Sequence, residues 1–121
     1  MQLMILVSAR LATMQFVWFI HEPYAVKEGI SSDIVEAIRE RRSPNFTQED
    51  EHLVYDVTLE LNTTLTLSEA TYTRGIAMFG AEKMVELVAA VGFYVMVAMT
   101  LSAFDVPVPG KNPLRDARQD N

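Results

Sequence analysis

Apolar residues recur along this chain at spacings of three and four, the period at which side chains share one face of a helix. Between Gln2 and about Glu28 the run is Leu3, Ile5, Leu6, Ala9, Ala12, Phe16, Phe19 and Ile20, and only Pro23 interrupts or kinks it. Gly29 stands where a helix ends in the left-handed conformation, and Ser31 or Ser32 where the next one is capped. A short helix with Ile34, Val35 and Ile38 on one side follows, closed by Ser43-Pro44. Thr47, with Asp50 three residues on, resembles a capping box and predicts a helix through about Leu61, with Leu53, Val54, Val57 and Leu61 inward. The stretch LNTTLTL has strand propensity, but a lone strand has no partner, so it reads as a connection ending in a Thr66-x-x-Glu69 capping box. A helix from about Ser68 to Phe79 is then stopped by Gly80, and a last one runs from Ala81 to about Phe104. The pattern predicts an all-α fold: one helical domain over residues 1–106 and an extended or mobile tail over 107–121, rich in proline and charge.

The last helix changes the picture most. After Glu86 come 18 residues without a formal charge, LVAAVGFYVMVAMTLSAF, long enough to be scored as a membrane span. Its flanks are acidic at Glu82, Glu86 and Asp105 and lack the Lys/Arg asymmetry that orients such spans. The expectation is therefore a soluble protein with this helix buried, as the axis of a core or in a subunit contact. A chain of 121 residues makes one domain, and with 50% of it apolar the surplus calls for cover by a partner subunit or a membrane.

A net charge of −6 argues against nucleic acid as a partner, since such binders cluster Lys and Arg. Arg39, Arg41 and Arg42 sit at a helix end, where cations meet the negative end of the dipole. The absence of cysteine excludes disulfides, thiolate metal sites and dithiol redox cycles in this polypeptide. The apolar N-terminus lacks a basic n-region and is broken by Arg10, so no secretory signal is expected and the expected location is cytoplasmic.

Candidate chemistry centres on His21, alone among apolar and aromatic residues. His21 and His52 lie on different helices without metal-ligand spacing, and no phosphate loop or serine-nucleophile elbow is present, so neither metal nor cofactor is expected. At helical spacing Trp18, His21, Ala25 and Met14 or Val17 share a face. An imidazole there can transfer protons if a carboxylate orients it. Glu22 points about 100° away around the helix, which leaves Glu60 from another helix as the candidate. The competing reading is a structural histidine satisfied by the backbone.

The stretch Trp18-x-x-His21-Glu22-x-x-Ala25-x-x-x-Gly29-Ile30-Ser31 resembles the carboxymuconolactone decarboxylase-like family, the superfamily of the alkylhydroperoxidase D proteins. Asp50-Glu51-x-x-Val54-Tyr55, Glu60-Leu61, Tyr72, Phe79-Gly80, Leu87-Val88, Gly92-Phe93-Tyr94 and Leu101-x-x-Phe104-x-Val106-Pro107 continue the likeness over residues 2 to about 110. The resemblance implies an alkylhydroperoxidase D-like helical fold in homo-oligomers, commonly trimers or hexamers, with active sites near subunit contacts. It also implies that longer members carry helical sequence ahead of this chain's first residue, so a shortened N-terminus is expected.

In the peroxidase branch a Cys-x-x-Cys pair precedes the histidine; Met14 and Val17 stand there instead, and Gln2 falls near the relay glutamate. Thioether and isopropyl groups form no attacking thiolate, which removes cysteine-dependent peroxidase activity. The decarboxylase branch needs a cationic clamp, a proton donor and a dry pocket. His21 is the candidate proton donor or acceptor with Glu60 beside it; Trp18, Tyr94 and Arg10 are the candidate substrate contacts, Arg10 about 16 Å from His21 if one straight helix joins them. Three readings follow: a lyase or isomerase acting on a small organic acid, a noncatalytic ligand-binding or structural oligomer, and a membrane hairpin of residues 1–20 and 84–104.

Overall fold

The computed structural model describes residues 1–115, and within them the chain is all-α, with no strand. Five helices follow in order: α1 (Gln2–Leu11), α2 (Gln15–Lys27), α3 (Ser32–Arg39), α4 (Glu49–Thr64) and α5 (Glu69–Ala103). The first expected helix is in fact two. Met14 N–H donates to the Ala9 carbonyl and Thr13 N–H to the Arg10 carbonyl, with Thr13 at φ 51°, which closes α1 in a Schellman motif. The chain then reverses, and α2 returns along α1 as a hairpin. Pro23 lies inside α2 without ending it.

The central helix is α1, which packs on all four others. Leu3 to Arg10 are buried without a break, the mark of a helix surrounded by protein. The final helix was expected to be buried, as the axis of a core or in a subunit contact; within the protomer the axis is α1. Only 17% of the most apolar window of α5 is buried within the protomer. By length and composition α5 is the one helix among the described residues able to cross a membrane.

Local signals account for most boundaries. Ser31 caps α3 by accepting from Asp33 N–H at 3.2 Å, and Gly29 at φ 94° closes α2. Neither of the two expected capping boxes forms. Gln48 precedes α4 with no side-chain cap, and Ser68, rather than Thr66, caps α5 by accepting from Thr71 N–H at 3.2 Å. The threonine-rich stretch stays helical to Thr64 because its hydroxyls bond back one turn, Thr63 to the Leu59 carbonyl at 2.6 Å and Thr64 to that of Glu60 at 3.1 Å.

Gly80 breaks α5 as expected. At φ 81° and ψ 167° it occupies a region essentially reserved for glycine. The arms on either side pack together there, Met84 lying over Gly75 where a Cβ would come within 2.5 Å of the thioether methyl. Residues 107–115 form no regular element, but they are anchored. Leu114 is buried, its N–H and carbonyl both bonded at 2.8 Å by the Gln15 amide, while Arg39 donates to the Pro113 carbonyl at 2.9 Å. The rest of the expected tail, 116–121, lies outside the described residues.

Candidate functional site

The α1–α2 hairpin sets the first turn of α1 beside the middle of α2, and so brings Gln2 to His21. The two rings of Tyr24 and Tyr94 stand beside the imidazole, with centroids at 6.2 and 6.1 Å, Tyr94 from α5 presenting an edge-on contact. His21 Nδ1 lies 2.9 Å from Gln2 Oε1. With an amide oxygen as its partner, Nδ1 carries the proton and Nε2 keeps the lone pair. Half-burial of the ring lowers its pKa below the ordinary 6.5, because a charged imidazolium loses hydration there. The result is a neutral imidazole with one nitrogen held and the other basic.

Glu60 is engaged elsewhere. One carboxylate oxygen accepts from Ser68 N–H at 2.7 Å and the other from the Thr71 hydroxyl, tying the end of α4 to the start of α5. Burial works against its charge, yet these hydrogen bonds and nearby Arg74 prevail and hold its pKa below the usual carboxylate value. The partner of His21 is thus Gln2, where sequence reasoning looked to Glu60. Gln2 stands near the position where the resemblance implies a relay glutamate and cannot ionise, but orienting a ring requires only an acceptor.

Two of the three expected substrate contacts are closed off in this conformation. Trp18 is 0% exposed: its indole N–H donates to Glu22 at 2.8 Å and the Arg39 guanidinium lies 5.1 Å from its ring centre. Glu22 in turn pairs with Arg39. This chain of contacts welds α2 to α3, and its first link follows from the four-residue spacing of Trp18 and Glu22. Arg10 is 6% exposed and donates to the Arg115 carbonyl at 2.8 Å, near the turn of the hairpin. The single straight helix that would have joined Arg10 to His21 does not exist, because α1 ends at Leu11 and α2 begins at Gln15.

Tyr94 is the expected contact that stays open. It lines a cleft of about 450 Å³ together with Ser8, Met14, Asn62, Ala98 and Met99. His21 does not line this cleft, and Tyr94 is what joins the two. The lining offers hydroxyl and amide groups to a ligand but no cation. Met14 is present at the position where the resemblance implies an attacking thiol. His52, read as a surface residue, is exposed, stacks on Phe46 and sits 3.5 Å from Asp56. Among the described residues no cluster of three metal-ligating side chains forms.

No family model matches the chain, and comparisons with curated proteins and with solved structures return no match.

Proposed function

We propose that the protein is a self-associating, carboxymuconolactone decarboxylase-like member of the alkylhydroperoxidase D group, working in aqueous solution without redox chemistry. His21 transfers a proton to and from a small organic acid bound beside Tyr94. The observation that carries this reading is the pairing of His21 Nδ1 with Gln2 Oε1 at 2.9 Å, which leaves Nε2 as a base. The lowered pKa of the ring supports it, because an imidazole that is neutral near pH 7 is competent to accept a proton. With no cysteine in the chain, thiol-dependent peroxide reduction plays no part.

Trp18 and Arg10 are too buried to hold a carboxylate, and the lining of the Tyr94 cleft carries no cation. These observations favour the second reading, a noncatalytic oligomer that binds a weakly charged ligand and uses His21 to fix α2 against α1. A panel of unsaturated lactone acids, followed by CO₂ release and by ultraviolet absorbance, separates the two. The catalytic reading expects turnover that falls at least about a hundredfold in His21→Gln, the scale of general acid–base catalysis. Equal turnover in wild type and variant removes His21 from the chemistry. Binding without turnover in either protein supports the noncatalytic oligomer.

A further inference from the structure

The C-terminal arm of α5 carries two apolar stripes on opposite sides. The inner one, Met84, Leu87, Val91, Tyr94, Ala98 and Leu101, belongs to the protomer's own core and its margin. The outer one is Val85, Ala89, Gly92, Met96, Met99 and Ala103, every one exposed, with Met96 at 52% and Met99 at 62%. Its spacings alternate four and three, the 3.5-residue repeat of a coiled-coil seam, and it carries no charge.

We propose that this outer stripe is a two-fold, antiparallel interface with a second copy of this chain, its axis at the level of residue 94. It draws on the self-association in the reading above and not on the chemistry of His21. In this register Met96 meets Gly92 of the second copy, Met99 meets Ala89 of the second copy, and Ala103 meets Val85 of the second copy. The long methionines each face a small residue, and symmetry repeats the fit. Gly92 is the telling position. A Cβ there would touch nothing within 4 Å, so nothing inside the protomer requires glycine, although mid-helix glycine weakens a helix relative to alanine. A methionine arriving from outside does require the space.

Charge disfavours the parallel alternative. Antiparallel packing separates Glu82 and Glu86 from their own copies by the length of the seam and leaves Asp105, beyond the end of α5, as the one charge at the opposing end. Parallel packing would set Glu82 and Glu86 against their own copies, which repel. From Val85 to Ala103 the seam is about 27 Å long at 1.5 Å per residue. A bilayer fits less well, because the other side of α5 packs on α1 and α4, and α4 presents Glu49, Asp50 and His52 to solvent. Tyr94 lies at the level of the axis, so the two His21 rings flank the centre of the pair.

Because the chain has no cysteine, introduced thiols report without background. Coexpressed Val85→Cys and Ala103→Cys chains, treated with a short thiol cross-linker, are expected to give a covalent mixed dimer. Each variant alone should cross-link at least about tenfold less, since like positions lie about 27 Å apart. Efficient self-cross-linking of Val85→Cys, or no mixed dimer, overturns the proposal. As an independent measurement, Gly92→Leu fills the hole and should weaken association about 10- to 100-fold by sedimentation, with circular dichroism and melting of the protomer retained. Unchanged association in that variant also overturns it. If His21→Gln abolishes turnover while the mixed dimer persists, the interface stands apart from the catalytic reading.

Discussion

Replacing Gln2 by glutamate tests the geometry around His21 without altering its shape. The amide oxygen 2.9 Å from Nδ1 becomes a carboxylate oxygen in the same place, so the neutral acceptor becomes a charge. Two unit charges about 4 Å apart interact by about 4 kcal/mol at an effective dielectric of 20. Both side chains are only half-buried, and solvent screening reduces this to about 1–2 kcal/mol. At 1.36 kcal/mol per pKa unit, His21 should rise by about one unit. Proton NMR of the imidazole reads this directly, because the chain has only two histidines and His52→Gln assigns the signals. In the wild type the His21 midpoint lies below 6.5. Between that midpoint and 6.5 the unfolded chain binds more protons than the folded one, so stability falls as the protein is acidified through this window. In Gln2→Glu the loss should shrink or reverse. A midpoint unmoved by Gln2→Glu would refute the pairing, and with it the assignment of Nε2 as the base.

Two further substitutions test the frame that holds the site. Gly80→Ala forces a side chain into a backbone region that only glycine tolerates, and thermal melting should show a loss of about 1–3 kcal/mol, or α5 should straighten and separate Met84 from Gly75. A variant with unchanged stability and an unchanged structure would contradict the break at Gly80. Leu114→Ala removes a buried side chain that follows the last helix and should cost about 2–5 kcal/mol in denaturant unfolding. A loss below about 0.5 kcal/mol, the usual effect of a surface change, would mean that this segment is not anchored.

The all-α class and most of the helices were legible because the apolar period and the signals at Gly29, Ser31 and Gly80 are local. The break at Thr13 was not. Four helices end in the same Schellman pattern, yet only α2 marks it with glycine; Thr13, Arg41 and Asp105 take the left-handed position in the others. A β-branched residue in that conformation gives no sequence signal, and the hairpin that decides who meets His21 depended on it. Tyr94 was placed near the histidine, while Glu60 was not its partner, because contacts between helices follow from tertiary packing that periodicity does not encode. The burial of Trp18 and Arg10 is the same lesson from the other side. Aromatic and cationic residues look like ligand contacts in a sequence, but here Glu22, Arg39 and the Arg115 carbonyl already satisfy them. The uncharged run of α5 was expected to be buried in a core or in a subunit contact, and the protomer itself covers little of it.

The central claim is that the outer face of α5 is covered by another copy of this chain in water. Sedimentation of the purified protein in detergent-free buffer tests it most directly. The account predicts a discrete species whose mass is an even multiple of 13.6 kDa. A single 13.6 kDa particle, an odd-numbered ring, or a protein that stays dispersed only with detergent would contradict it.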